Sequence, residues 1–352
     1  MTAPKAQRRA VTGWPEATWR FFERRAAAGV LLVTFALVAG VLAVQCTNQP
    51  AIPTAARPAA QLCLSGPIQA SKQFALVQGY ITYTYGSKIW AVDPNQPANR
   101  ISLGPSNGMT PITWSRDGSR LLLMELRNAG TAQQEKDLCV LNGDGSQTRL
   151  TSDGRSREAS FSPDGTEVVF SRLADHGLYL VDANGGVPRM IAKSSGYVGS
   201  PTWLPDGSRI AYTVYREFGP NGSTFEIWTL NPDGTDPRQL VDLGQCGGGG
   251  CSGGLAWSPD GSTLVFHSFA TPVGAAELNQ IYIVRADGSR LHRVNDDGFQ
   301  PSWSPDGSRI AFLRFYGFAE LSLYTMARDG SDVRQVEGVF IQPSSLAWNP
   351  VG

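Results

Sequence analysis

The stretch Trp303-Ser304-Pro305-Asp306-Gly307-Ser308-Arg309-Ile310-Ala311-Phe312 decides the fold. Its first half is a turn. Pro sets φ near −65° at the second turn position, Asp bonds back to the local backbone, and Gly supplies a positive φ. Its second half, Ile310–Phe312, is a short apolar run of β-branched and aromatic character, which reads as a strand. The unit is therefore a hairpin joining a first strand, A, to a second strand, B.

The same unit occurs four more times, at Trp114-Ser-Arg-Asp117-Gly118, Phe161-Ser-Pro-Asp164-Gly165, Trp203-Leu-Pro-Asp206-Gly207 and Trp257-Ser-Pro-Asp260-Gly261, and a broken copy, Trp348-Asn-Pro350-Val-Gly352, ends the chain. Successive aromatic positions lie 42 to 54 residues apart. Turn chemistry at such a period marks a solenoid, propeller or array. About 25 residues after each first turn stands a second, at Asn142–Gly145, Asp182–Gly185, Asn231–Gly234, Arg285–Gly288 and Ala327–Gly330. Each second turn follows an apolar strand C (Leu138–Leu141, Leu178–Val181, Ile227–Leu230, Ile281–Val284, Leu323–Met326) and precedes a short strand D. Four antiparallel strands per repeat around an axis form a propeller blade.

The ends set the blade count. Residues Tyr80–Leu103 supply strands B, C and D with no preceding aromatic-Pro-Asp-Gly turn, while Leu346–Trp348 is a lone strand A. Together they complete one blade, which closes the ring and removes open sheet edges. The expectation is an all-β, six-bladed β-propeller of four-stranded antiparallel blades, preceded by a single N-terminal transmembrane helix.

These residues resemble the Pro-Asp-Gly family of WD-like repeats found in TolB-like propellers. The resemblance covers about Tyr80 to Gly352. It implies the propeller fold, and since one fold hosts many functions the function is read from the residues themselves. TolB itself carries an additional N-terminal α/β domain; here only about 33 residues separate the expected anchor from the first strand, so the expectation is a propeller without that domain.

The N-terminal part reads as an anchor. Residues 1–25 form a basic tail, with Lys5, Arg8, Arg9, Arg20, Arg24 and Arg25 against Glu16 and Glu23. Ala26–Val44 is uncharged with Thr34 as its one polar group, long enough to cross a bilayer as a helix. The expected signal-anchor occupies 26–45, with the tail cytoplasmic by the positive-inside rule. A cleaved signal peptide and a lipoprotein modified at Cys46 are the other readings. Residues 46–78, with Pro50, Pro53, Pro58 and Pro67, read as a tether, and 79–352 as the propeller. The chain would thus sit in the inner membrane as a single-pass protein, propeller outside the cytoplasm. Formal net charge is zero, and without residues 1–25 the remainder is mildly acidic. No basic stripe points to nucleic acid.

Cys246-Gly-Gly-Gly-Gly-Cys251 suits a disulfide in an exported domain; free thiols and a metal site are the alternatives. Cys139 occupies a strand C position held elsewhere by Tyr179, Trp228, Tyr282 and Tyr324, so it reads as a buried small hydrophobe, with pairing to Cys63 left open. The five turn residues Asp117, Asp164, Asp206, Asp260 and Asp306 read as structural, each on its own blade. His176, His267 and His292 lie in no nucleophile motif, no Gly-x-Ser-x-Gly elbow occurs, and no Gly-rich phosphate loop is present. The sequence therefore predicts no catalytic residues, no cofactor and no metal.

Short A–B and C–D turns share one rim, whereas the B–C and D–A loops, including Arg127–Lys136, Tyr215–Phe225, Leu243–Gly254 and Phe269–Asn279, share the other. Binding residues concentrate on variable loops held by a rigid scaffold. The expected function is a membrane-anchored, non-catalytic propeller that binds a protein or peptide on this variable rim, as scaffold or accessory subunit of an envelope complex. The alternative is an enzyme or a small-molecule or sugar binder acting in the central channel. The channel-lining segments Ile112-Thr113, Ala159-Ser160, Pro201-Thr202, Leu255-Ala256, Pro301-Ser302 and Leu346-Ala347 hold no ionisable group, which weighs against channel chemistry.

Overall fold

A computed structural model of the chain describes residues 73–128, 134–217, 223–246, 253–268, 279–316, 320–341 and 346–351. The expected tail, transmembrane helix and most of the tether lie outside these residues. Among the described residues no helix is long and apolar enough to cross a membrane.

The described strands form six sheets of four antiparallel strands. Five blades are built from consecutive strands, each beginning on its strand A: Met109–Trp114, Ser156–Phe161, Tyr197–Trp203, Ala256–Trp257 and Phe299–Trp303. The first blade is composite, as the sequence predicts. Leu346–Trp348 pairs with Ile81–Tyr85, which continues into Lys88–Asp93 and Gln96–Pro105. The register is Ile81 with Trp348, Thr82 with Ala347 and Tyr83 with Leu346. Thr82 Oγ1 donates to Ala347 O at 3.0 Å, and Trp348 Nε1 donates to Gly79 O at 2.8 Å.

The turns work as their residues dictate. Gly118, Gly165, Gly207, Gly261 and Gly307 all have φ between 66 and 76°. In blade two Gly118 N donates to Ser115 O at 2.9 Å, and Ser119 N donates to Asp117 Oδ1 at 3.0 Å. The residue before the Pro position adds a second clasp. Ser115 Oγ donates to Asp117 Oδ1 at 2.6 Å and accepts Arg120 N at 2.9 Å, and the Ser162–Asp164–Glu167 and Ser304–Asp306–Arg309 sets repeat the pattern.

The core is distributed between blades. Each of six apolar clusters joins two neighbouring sheets: Val265 and Ile281 of blade five pack with Trp303, Ile310 and Phe312 of blade six. Ile81, Tyr83 and Trp348 of the composite blade pack with Leu313 and Leu323 of blade six. Within blades, strand B and strand C pair aromatic residues across the ladder, Phe170 with Tyr179, Phe266 with Tyr282 and Phe312 with Tyr324, their centroids 5.5, 5.6 and 5.8 Å apart.

Three details differ from the sequence reading. Phe74 and Val77, inside the segment read as tether, are buried, and the Phe74 ring meets the Trp114 edge at 4.7 Å. The run Phe74-Ala75-Leu76-Val77 is too short to show a period and matches no repeat, so its packing leaves no clear local signal. Some D strands are long, with Arg238–Cys246 and Arg334–Ile341 following strand C past register shifts that accommodate extra residues. Cys139 is buried as expected, but its sulfur is disulfide-bonded, whereas its place in the repeat read as a small hydrophobe with pairing left open.

Closure by Trp348 sets a test. Trp348→Ala removes a buried indole and its bond to Gly79, and should lower unfolding stability by about 3–5 kcal/mol, measured by denaturant unfolding. A loss under about 1 kcal/mol would contradict the shared blade.

Candidate variable-rim and channel site

The variable rim and the channel mouth meet where the A strands begin. Four of the six A strands show a register shift against their B strand there: between Pro111 and Thr113, Ser156 and Ala159, Gly199 and Thr202, and Phe299 and Ser302. The position three residues before the aromatic is occupied by Glu158, Ser200, Gly254 and Gln300 in blades three to six. Ser200 and Gln300 hold φ values of 45 and 54°, uncommon for residues with a side chain, and Gly254 holds 63°. In blades three, four and six the bulges re-aim the chain and turn Glu158, Ser200 and Gln300 towards the channel mouth.

At the mouth, neighbouring blades are linked in series. Ser200 N donates to Glu158 Oε2 at 2.9 Å, and Gly254 N donates to Ser200 Oγ at 2.8 Å. Gln300 N approaches His267 Nδ1 at 3.4 Å. Space is tight: a Cβ on Gly254 would fall 2.7 Å from His267 Nδ1, and one on Gly253 would fall 2.0 Å from Ser200 Oγ. Glu158, Ser200 and His267 thus converge although no sequence motif unites them. Each is engaged with backbone N–H groups, which is the work of a structural seam. A hydrolytic triad instead needs the base bonded to the nucleophile. Burial pushes His267 down to about 3, so its ring stays neutral and is no base near neutral pH.

Beside this seam lies a groove of about 440 Å³. Its wall carries Tyr197 and Tyr215, cross-strand partners 6.1 Å apart, with the His176 ring tilted against Tyr197 at 4.4 Å. Leu173 and Tyr197 are 41% and 37% exposed, and Arg157 and Glu158 complete the groove. Solvent-facing aromatic and aliphatic groups beside charges are the composition of partner-binding surfaces.

The central channel has a volume of about 450 Å³ and is lined by strand A of every blade. Five of the six dipeptides singled out in the sequence face it, and of the sixth Leu346 does while Ala347 packs into the core between blades; all are uncharged. Two charged residues next to them also line it, Glu158 at the loop end and Arg116 at the tight-turn end. Arg116 stands where the other five repeats carry Pro163, Pro205, Pro259, Pro305 and Pro350. Its Nη1 donates to Pro205 O at 2.8 Å, reaching from blade two to blade four. The break in the repeat was visible in sequence; its position over the channel was not.

Arginines at the far ends of strand B were also missed. Arg172 lies 4.2 Å over the Tyr179 ring and pairs with Asp153 at 2.8 Å; Arg314 lies 4.8 Å over Tyr324 and pairs with Asp297 at 3.2 Å. They pin D–A loops to strand C, so rim loops are held by the scaffold. The five turn aspartates sit on the opposite rim, each in its own turn. Hydrogen bonds from Ser162 and Thr166 hold Asp164 below the usual carboxylate range, as those from Ser208 hold Asp206 and those from Ser304 and Ser308 hold Asp306. Cys251 and the centres of four variable loops lie outside the described residues, as does the Cys246 side chain.

The signs of these shifts predict two limbs of acid destabilisation. His267 and the aspartates all titrate lower in the folded state, so the unfolded chain takes up protons first and stability falls with pH. His267 acts from about its ordinary value of 6.5 down to about 3, with a slope of at most about 1.4 kcal/mol per pH unit. The aspartates act below their ordinary 3.8. His267→Gln keeps an acceptor for Gln300 N and should flatten the limb between pH 6.5 and 4 in denaturant titrations. An unchanged limb would show that His267 is not its source.

Comparison with known proteins agrees with this architecture. Residues 172–350, just over half of the chain, match the family described as PD40, the TolB beta propeller domain. The protein Atu1656 of Agrobacterium fabrum is 27% identical over 260 residues, 68% of this chain and 80% of that protein. The Tol-Pal system protein TolB of Anaeromyxobacter dehalogenans is 30% identical over 125 residues, 35% of this chain and 25% of that protein. The crystal structure of TolB from Acinetobacter baumannii superposes with a TM-score of 0.60 at 16% identity, covering 77% of this chain and 66% of that one, and so supports the fold. With its repeats matched over that span and its six four-stranded blades closed by Leu346–Trp348, the chain belongs to the TolB β-propeller family.

Proposed function

We propose that this chain is a non-catalytic propeller that binds a protein or peptide partner on its variable-loop rim. In this reading residues 26–45 anchor it in the inner membrane, and it serves as scaffold or accessory subunit of an envelope complex, with the propeller outside the cytoplasm. The observation that carries the proposal is the asymmetry of the rims. On one, the turn aspartates and serines are spent on their own turns. On the other, Leu173, Tyr197, Tyr215 and Arg157 form an open groove on a scaffold of pinned loops. Tyr and Arg are among the side chains that carry most of the binding energy at interfaces. The Tol-Pal name of the Anaeromyxobacter relative supports an envelope setting. The disulfide at Cys139 supports an oxidising compartment.

Two experiments test this. Co-purification from detergent-solubilised membranes should identify a partner that Tyr197→Ala with Tyr215→Ala weakens at least tenfold, whereas Asn184→Lys and Ala286→Lys on the tight-turn rim leave it bound. Loss of the partner with the tight-turn pair alone would place the working face on the other rim. Protease added to intact spheroplasts should cut the propeller loops and spare residues 1–25. A soluble, full-sized cytosolic protein would contradict the anchor.

A further inference from the structure

The channel carries a charge pattern that the rim does not explain. Among the residues that line it, the charged ones are Glu158 and Arg116, at opposite ends. Between them the position before the aromatic gives Thr113, Ser160, Thr202 and Ser302, four half-buried hydroxyls on four blades. Thr113 and Ser160 reach only the carbonyl of the next residue, at 3.3 Å each. A hydroxyl both donates and accepts, so this belt matches the alternating N–H and C=O groups of an amide backbone.

The dimensions fit the same ligand. Five residue steps separate Glu158 from Pro163 at the turn end, roughly 16 Å at about 3.3 Å per strand residue. An extended peptide covers about 3.3–3.6 Å per residue, so four or five residues span the channel. The volume of about 450 Å³ falls within the range of small-molecule sites.

Arg116 is specific to one blade. Pro at this position, as in the other repeats, closes the turn without a side chain that can bond. The guanidinium has five N–H groups in a fixed fork, and Pro205 O takes one Nη1 bond at 2.8 Å. That contact holds the group over the channel end with further donors available for a carboxylate. At the mouth, Glu158 is exposed and steadied through one oxygen by Ser200 N, leaving its other oxygen towards solvent.

We propose that the central channel binds short, free peptides of about four residues, with the carboxyl terminus held by Arg116 and the amino terminus by Glu158. This site borders the partner groove and shares Glu158 with it, but its other end, at Arg116, lies on the far side of the channel, and it does not depend on a protein docking at the rim.

The test uses the purified full-length protein in detergent, with tetraalanine, its C-terminal amide and its N-acetyl form as probes. Binding is read by calorimetry and by fluorescence of the channel tryptophans. Tetraalanine should bind saturably, and amidation or acetylation should each weaken it about tenfold, the scale of one charge-assisted bond. Arg116→Pro restores the residue of the other five repeats. It should bind the acid and the amide alike while still preferring the free amine, and Arg116→Gln should do the same if the proline variant unfolds. Glu158→Gln should lose the preference for the free amine. Tyr197→Ala should leave tetraalanine binding unchanged, which separates this site from the rim. No saturable binding of tetraalanine by the wild-type protein, or equal affinity for acid and amide, would overturn the proposal. So would a preference for the acid that survives in Arg116→Gln.

Discussion

The ladder between Leu346–Trp348 and Ile81–Tyr83 is the constraint on which the rest depends. A blade buries little by itself, because its apolar residues face the neighbouring sheets and not a common centre. The six inter-blade clusters therefore exist together only when the ring is complete. Three residue pairs at the C-terminus complete it, by giving the first sheet its innermost strand. Without that strand Tyr83 and Trp348 would lose their packing against Leu313 and Leu323, and two sheets would present open edges to solvent.

Closure also makes the site. The mouth seam crosses blades three to six through Glu158, Ser200, Gly254 and Gln300, and the channel takes a wall from every blade. Neither survives as a local feature of one repeat. The tight turns themselves, by contrast, are built within each repeat, since the Ser-x-Asp-Gly clasps bond within their own turn, and arginines such as Arg116 and Arg328 then bridge between turns. One face is thus locally determined and uniform, and the other is set by contacts between repeats and can vary. That division is the basis for proposing the loop rim as the surface of recognition.

Much of this fold was legible in sequence because propeller blades are read by local chemistry. Pro-Asp-Gly turns specify hairpins, alternating apolar runs specify strands, and the mismatch between the first and last repeats specifies closure. The site was less legible. Glu158 lies one residue outside the segment that repeat alignment marks as channel wall, and a bulge turns it inward. Arg116 breaks the proline pattern in plain view, but a side chain crossing from blade two to blade four is a property of the closed ring. Arg172 and Arg314 act through tyrosines on the next strand and aspartates on a preceding loop, pairs that no short motif records. Phe74 and Val77 pack from a proline-rich stretch without any repeat to announce them.

Native-state hydrogen exchange of the Ile81–Tyr85 amides, followed against denaturant, tests the closure account most directly. If the composite blade is the clasp of one cooperative ring, the amides bonded to Leu346–Trp348 exchange only through global unfolding. Their opening free energy and denaturant dependence then equal those of Val168–Phe170 in the fully consecutive blade three. Exchange of Ile81–Tyr85 at a clearly lower free energy, while Val168–Phe170 stay protected, would show that the ring opens at the shared blade without losing its core, and would contradict it.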